Sequence, residues 1–459
     1  MRRRFCFLLP IGMAIVAAAG AGRLAAESPS PSLAETASAE RGREAVHRPM
    51  NPPHWSARAY DEVWKRWGIA EKPEDYARAF RDRYGLHPAP YENDGLPAGF
   101  HRAKGLLGVG RGLGNDCLLC HAGSIAGRTI VGLGNVALDM QTLYEDLFAA
   151  DGLPPTTPLP MSNARGTTAA STFAIYLIQF RDPDLKRRRP VRYDCAPTLC
   201  EDPPAWWLYK KKRTIYHTGA ADARSVRTMM PFLLNPLNSA EAIKAREPEF
   251  ADVRAYLLTL GPPRYPYPVD DAHAARGEAV FRRSCARCHG TYGPDGRYPN
   301  KIVPLDEIGT DRALAEGFPA EGINHYLKSW FAREHGPSGE PYHGLDGEGY
   351  QAPPLDGLWA TAPYCHNGSV PTVAQVLDSR ARPAIFTRSF RAEDEDYDRE
   401  KLGWKVTVLD QAPGPNAPPL ERRKVYDTTR PGRGNGGHTF GDRLTEDERR
   451  AVIEYLKTL

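Results

Sequence analysis

The pattern Cys-x-x-Cys-His occurs twice in this chain, and each copy restricts what can surround it. The stretch Phe281-Arg-Arg-Ser-Cys285-Ala-Arg-Cys288-His289-Gly290 holds one copy, and Asn115-Asp-Cys117-Leu-Leu-Cys120-His121 holds the other. This is the attachment pattern of a c-type haem. The two thiols add to the haem vinyl groups, and the spacing leaves the following His to ligate the iron from one face. One copy alone is compatible with a redox dithiol or half of a zinc site. Two copies, each with the His attached, point to two covalently bound c-type haems. Cys117, Cys120, Cys285 and Cys288 are then the cofactor-binding residues, with His121 and His289 as proximal iron ligands.

The N-terminus agrees with that chemistry. Arg2, Arg3 and Arg4 precede an apolar stretch from Phe5 to Ala19, and Leu24-Ala25-Ala26 offers small residues for cleavage. Residues 1–26 therefore read as a signal peptide. The apolar stretch is short for a membrane span, and no stable membrane insertion is expected. Haem attachment of this type takes place outside the bacterial cytoplasm, so the expected location is the periplasm. Cys195 and Cys200, five positions apart around a Pro, read as a local disulfide in that compartment, and Cys365 is left over. With 60 Lys and Arg against 56 Asp and Glu, the charge is nearly balanced, and no nucleic-acid partner is implied.

Residues 27–52, rich in Ser, Pro, Ala and Glu, read as a flexible leader. Tyr60 to Trp67 and Tyr76 to Tyr84 space their aromatics at helical intervals, as does Leu138 to Leu147. The Gly-rich run 105–114 reads as a loop packed on the first haem. Val253-Arg-Ala-Tyr256-Leu257-Leu-Thr259-Leu260 and Val452-Ile-Glu-Tyr455-Leu456-Lys-Thr458-Leu459 are alike at five of eight positions. Each ends an amphipathic helix that opens on acidic residues, which favour the helix dipole, and each closes a segment containing one haem motif. In a class I cytochrome c a C-terminal helix of this kind packs back on the leading helix. The expected fold is therefore mostly α, two tandem class I cytochrome c-like domains with long Pro/Gly-rich loops. Their expected spans are 53–262 and 269–459, joined by the Pro-rich linker at 261–268, with Ala274 to Phe281 as the leading helix of the second.

Haem reactivity turns on the sixth iron position. No Met follows Met230, so the second domain has no methionine of its own to offer. Met229 or Met230 reaching across, a second His, Cys365, or an open site remain. Among the later histidines, His325 lies in an apparent helix, and His335 and His343 lie in loops without clear context. His438 sits in Gly434-Asn-Gly-Gly-His438, ahead of the final helix with Thr445 as N-cap and Glu448 completing a capping box. His438 is the first candidate for the distal ligand of the C-terminal haem, and His366, beside Cys365, is the rival. The basic groups Lys186 to Arg189 and Lys210 to Arg213 read as a solvated face or as a docking site for an acidic redox partner. Tyr216 to Met230, which holds His217 and Arg224, has the composition of a site wall.

Leu355-Asp-Gly-Leu-Trp359-Ala-Thr-Ala-Pro-Tyr364-Cys-His366-Asn-Gly-Ser-Val-Pro-Thr372 resembles the signature segment of the bacterial di-haem cytochrome c peroxidase/MauG superfamily. It is most similar to the branch that includes the di-haem rubber oxygenases. Tyr298 to Gly309, Lys424 to Thr428 and the loop at His438 extend the resemblance. It implies a six-coordinate C-terminal haem that relays electrons, and an N-terminal haem facing substrate with an open or weakly occupied distal side. By position it implies that His217 and Arg224 line that distal side as catalytic groups, and that Trp359 lies where an aromatic could bridge the haems. This chain departs from the pattern at Cys365, where relatives carry an aliphatic residue.

The leading reading is a periplasmic di-haem c-type cytochrome with electron transfer and haem peroxidase activity, hydrogen peroxide reduction, at the N-terminal haem. A small soluble redox partner protein would supply electrons. The alternatives are a pure electron carrier with both haems six-coordinate, and a dioxygen-using oxygenase acting on an organic substrate.

Overall fold

The computed structural model describes residues 32–105, 110–154, 161–193, 199–342 and 348–459. The signal-peptide stretch, Cys195 and His343 lie outside them, and the Cys195–Cys200 disulfide with them. Among the described residues, no helix is long and apolar enough to cross a membrane.

Two helix pairs of the same design frame the molecule. In the C-terminal half, Asp271–Ser284 packs on Glu446–Lys457. In the N-terminal half, Leu33–Ala45 packs on Glu247–Thr259. Gly277 and Gly42 make both crossings close. A Cβ on Gly277 would lie 1.9 Å from the Ala451 carbonyl oxygen and 3.0 Å from the Tyr455 Cβ. A Cβ on Gly42 would lie 1.9 Å from the Asp252 carbonyl oxygen and 2.9 Å from the Tyr256 Cβ. The repeated Tyr of the two closing helices therefore packs against a repeated Gly of the two leading helices.

This corrects the flexible-leader expectation for part of 27–52. Ser32 caps the helix Leu33–Ala45 through a capping box with Glu35, and Arg41 donates to both Asp252 carboxylate oxygens at 2.7 Å. Its polar composition reflects a helix that buries one narrow face, not a segment unable to pack.

The mostly-α expectation is also corrected, because short antiparallel strands join the helices. Arg111–Asn115 is the centre of a three-stranded sheet, flanked by Trp55–Ser56 and Phe100–Lys104. Residues 111–114 of the Gly-rich run are thus strand, not loop. Gly112 faces Pro53, where a Cβ would fall at 2.7 Å. Ala122–Ile125 pairs with Arg128–Val131 immediately after the first haem motif. The aromatic helices form over Ala57–Glu62 and Tyr76–Tyr84, and Met140–Ala150 follows its N-cap Asp139.

The halves share a core. One apolar cluster joins Ile125, Leu133 and Trp207 from the first half with Phe281, Tyr364, Trp404, Val452 and Leu456 from the second. A second cluster, containing Trp55, Phe80, Tyr84, Phe100 and Leu143, lies wholly in the N-terminal half, with Cys120 packed against it.

Candidate haem sites

The leading helix Asp271–Ser284 ends at Cys285, and a single further turn, Ala286–His289, stops on Gly290 at φ 84°. This delivers both thiols and His289 to one end of a cavity of about 260 Å³. His289 Nδ1 lies 2.8 Å from the Pro353 carbonyl oxygen. A carbonyl only accepts, so Nδ1 carries the proton and the lone pair of Nε2 is left for a metal.

His438 lines the same cavity. Its ring centre is 6.2 Å from that of His289, with 58° between the planes. Two imidazoles bound to one metal from opposite sides, at about 2.0 Å per bond, place their ring centres roughly 6 Å apart. The spacing fits an iron between them. Burial holds the His438 imidazolium down to about 4, so the ring is neutral and able to ligate near pH 7.

The His438 loop is held from two sides. His438 is at φ 44°, and its N–H donates to the Ile308 carbonyl at 2.7 Å. Arg382 donates to the Asn435 carbonyl at 2.6 Å, the Gly437 carbonyl at 2.7 Å and the His438 carbonyl at 3.2 Å. Gly437, at φ 71°, presses so closely on Gly309 that a Cβ would fall 2.1 Å from its carbonyl carbon. The glycines of this loop thus permit backbone to approach backbone.

The signature segment forms a second wall. Tyr364 and Val370 exchange backbone hydrogen bonds at 2.7 and 3.2 Å, closing a loop that turns Cys365, at φ 68°, and His366 into the cavity lining. The fully buried Asn367 donates to the Gly434 carbonyl at 3.0 Å and joins this loop to that of His438. His366 stacks on Tyr350 at 4.0 Å and 13°, and its Nε2 is buried without a partner. Burial pushes the free Cys365 thiol up to about 11.

At the first motif, Asp116 accepts from the Leu118 N–H at 2.7 Å and also pairs with His101. The turn Leu118–His121 then presents His121, whose ring stacks on Trp206 at 4.8 Å and 27°. The buried His121 Nδ1 faces the Pro204 carbonyl without full hydrogen-bond geometry. Pro204 belongs to a Pro-Pro pair, as does Pro353 behind His289. Sequence reading passed over both pairs, although each stands a few residues ahead of a Trp.

The structure separates other residues that the sequence reading grouped. His217 and Arg224, expected together beside the first haem, lie in different places. His217 lines the cavity of the second motif, and its Nε2 donates to the Asp202 carbonyl at 2.8 Å. Arg224 is half-exposed and bound by Asp222 at 2.8 Å and Glu340 at 3.4 Å. The hairpin of Thr214–Ile215 with Ala221–Asp222 divides them, with His217 in its turn and Arg224 beyond it. Met229 and Met230 pack in apolar clusters outside the cavity lining, so neither reaches the cavity of the second motif. Trp359 donates its Nε1–H to the Pro263 carbonyl at 2.8 Å and packs on Tyr265 and Tyr397. It braces the linker, and Trp206 is the indole stacked on His121. His325 bonds to Tyr193 at 2.8 Å, and His335 is exposed.

Residues 349–387 match the family model described as RoxA-like, cytochrome c-like. Over that stretch the chain is cytochrome c-like. The match takes in the signature loop with Cys365 and His366, and Pro353 behind His289, so it falls on the wall of the cavity. It supports covalently bound haem c and oxidoreductase chemistry in general.

The chain is 29% identical over 262 residues to the uncharacterized protein y4iJ of Sinorhizobium fredii, covering 44% of this chain and 41% of that protein. It is 32% identical over 241 residues to y4iM of the same organism, covering 45% of this chain and 53% of that protein. The chain thus spans about half the length of the curated relatives it matches. Hydrazine synthase of Kuenenia stuttgartiensis aligns over 62% of this chain and 85% of its own, at 13% identity and a TM-score of 0.28. A likeness at that level carries no weight.

Proposed function

We propose that the protein is an exported di-haem c-type cytochrome that reduces hydrogen peroxide at its N-terminal haem, with the C-terminal haem as electron relay. The observation that carries this reading is the pair of imidazoles, His289 and His438, 6.2 Å apart across the second cavity. Two neutral imidazoles saturate an iron and favour reversible electron transfer over ligand chemistry. Among the described residues, the ring stacked on His121 is Trp206, not a second imidazole. That difference supports placing substrate chemistry at the first site.

Haem iron supplies the one-electron chemistry, and at an open site it binds peroxide or dioxygen. The protein's own part is positional. Cys117 and Cys120, and Cys285 and Cys288, fix the cofactors. The Pro353 carbonyl holds the His289 tautomer, and Arg382 holds the loop that presents His438. The strip 202–208 connects the sites, since Pro204 faces His121 while Asp202, Pro204, Ala205 and Leu208 line the second cavity. A small soluble redox protein is the proposed electron donor, and the periplasm the proposed location.

Low-temperature EPR of the oxidised and half-reduced protein, with peroxide added, tests this. One high-spin ferric signal that peroxide abolishes, beside one low-spin signal that it leaves alone, is the expected result. Two low-spin signals indifferent to peroxide in both states would make the protein an electron carrier.

A further inference from the structure

The cavity of the second haem motif is not walled by its own half alone. Leu208, Lys212, Tyr216 and His217, all from the N-terminal half, line it together with Cys285, Cys288, His289 and His438. Lys212 differs from its neighbours. Lys210 donates to the Leu260 carbonyl at 2.9 Å, Lys211 to Asp356 at 2.6 Å and Arg213 to the Pro299 carbonyl at 2.9 Å. Among the described residues, the Lys212 ammonium has no acceptor or ion-pair partner, although Lys212 is half-buried. Burial pushes it down to about 8, so no nearby anion offsets the desolvation of the charge.

The other charged and titratable groups around it do not supply that anion. His217, pushed down to about 4 first by burial, carries no charge near pH 7 and offers none to Lys212. Asp202 also lines the cavity, its carboxyl pushed well above the usual range by burial, but it does not act on Lys212, whose shift has burial as its cause. Arg287 lines the cavity but turns outward to Glu307 at 3.2 Å, with its side chain 68% exposed.

The position of Lys212 is nonetheless fixed. Its N–H donates to the Tyr209 carbonyl at 3.0 Å. The next two N–H groups donate to the side-chain oxygen of Asn300, from the other half, at 2.8 and 3.2 Å. A cation held in place in the lining of a cofactor cavity, with no anion paired to it, fits a cofactor that brings its own. Haem carries two propionate carboxylates, on the edge away from the vinyl groups that the thioethers consume.

We propose that Lys212 is the counter-ion of the second haem's carboxylate edge, supplied across the boundary between the two halves, and that it raises that haem's reduction potential. This rests on the reading of Cys285 to His289 as a haem site. A cation beside the cofactor disfavours the extra positive charge of ferric iron, so its removal favours oxidation.

The test uses full-length holoprotein, with haem counted as the pyridine haemochrome and the low-spin haem followed by optical spectroelectrochemistry. Lys212→Met is expected to shift the equilibrium at least tenfold toward the oxidised form, about 59 mV for a one-electron couple. Lys212→Arg and the control Lys211→Met are expected to stay within about threefold. The Met shift should persist between about 20 mM and 500 mM salt, because screening acts mainly on exposed charges. An unchanged potential in Lys212→Met would overturn the assignment, as would an equal shift in Lys211→Met or a shift abolished by salt. If Lys212→Met fails to retain the second haem, retention by Lys212→Arg but not by Lys212→Gln supports the assignment, and loss in all three overturns it. Wild-type protein holding a single haem would overturn the two-haem reading beneath it.

Discussion

Replacing Gly277 by Ala adds one methyl group where the leading and closing helices of the C-terminal half cross. The new Cβ would lie 1.9 Å from the Ala451 carbonyl oxygen, whereas ordinary contact begins near 3.4 Å. Neither partner is a flexible side-chain end, since the obstacle is backbone, so the helices must part by roughly 1.5 Å. Gaps of about 0.5–1 Å already forfeit a quarter to a half of each dispersion contact. Val280, Phe281, Val452 and Leu456 are buried on these helices, each worth about 1.5–3 kcal/mol when fully buried. At the middle of that range, losing a third to a half of the total costs roughly 3–4.5 kcal/mol. Ala in place of Gly in a helix returns about 1 kcal/mol. The expected net loss is about 2–3.5 kcal/mol, toward the upper end of the usual range for overpacking. Phe281, Val452 and Leu456 also line the haem cavity, so the low-spin spectrum should broaden as stability falls. Urea unfolding of holoprotein, followed by tryptophan fluorescence and the Soret band, measures both. Gly42→Ala, with the same 1.9 Å approach to Asp252, should lose a similar amount, and Gly414→Ala, with nothing within 4 Å of the added atom, should lose none. If Gly277→Ala unfolds within about 0.5 kcal/mol of wild type, the close-crossing account is wrong.

His438→Ala should convert the C-terminal haem from low spin to high spin or to a new ligand set. An unchanged low-spin EPR signal would remove His438 and promote His366 or Cys365. Arg382→Met removes three donors to the His438 loop and should produce a partial high-spin population that grows with temperature in optical spectra. Glu201, buried and bonded to Ser171 at 2.8 Å, has its carboxyl pushed up to about 7 by burial. Between its unfolded value near 4.5 and about 7 the folded state holds the extra proton, so stability should fall as pH rises through that window. The size is on the order of 3 kcal/mol, and Glu201→Gln should flatten the slope in urea titrations.

The haem motifs, the closing-helix repeat and the capping box at Thr445 were legible because each is a local pattern with one chemical meaning. The helix Leu33–Ala45 was missed because its polar composition outweighed two local signals, the capping pair Ser32 and Glu35 and the match of Arg41-Gly42 to Arg276-Gly277. The separation of His217 from Arg224 was not legible. Two short strands of two residues each decide it, and their pairing is set by long-range contacts such as Asn300 to Thr214 at 2.8 Å. The contribution of Lys212 and His217 to the far half's cavity follows from that same docking, which leaves no trace in local spacing.

The unequal spacing of the repeat bears on why two haems would differ in role. In the C-terminal half the crossing glycine, Gly277, and Cys285 share one continuous stretch, so the leading helix itself presents the haem thiols. In the N-terminal half Gly42 is followed by the strand Trp55–Ser56, two aromatic helices and a sheet before Cys117 is reached. The helix pair is kept, but the inserted segment takes over the wall around the haem motif. Cys120 packs against the mainly aromatic and aliphatic cluster that contains Trp55, Phe80, Phe100, Tyr144 and Met161, whereas the cavity of the second motif brings His438 opposite His289. A duplicated frame with one wall rebuilt around an aromatic and apolar cluster supports the proposal that the two haem sites differ in role.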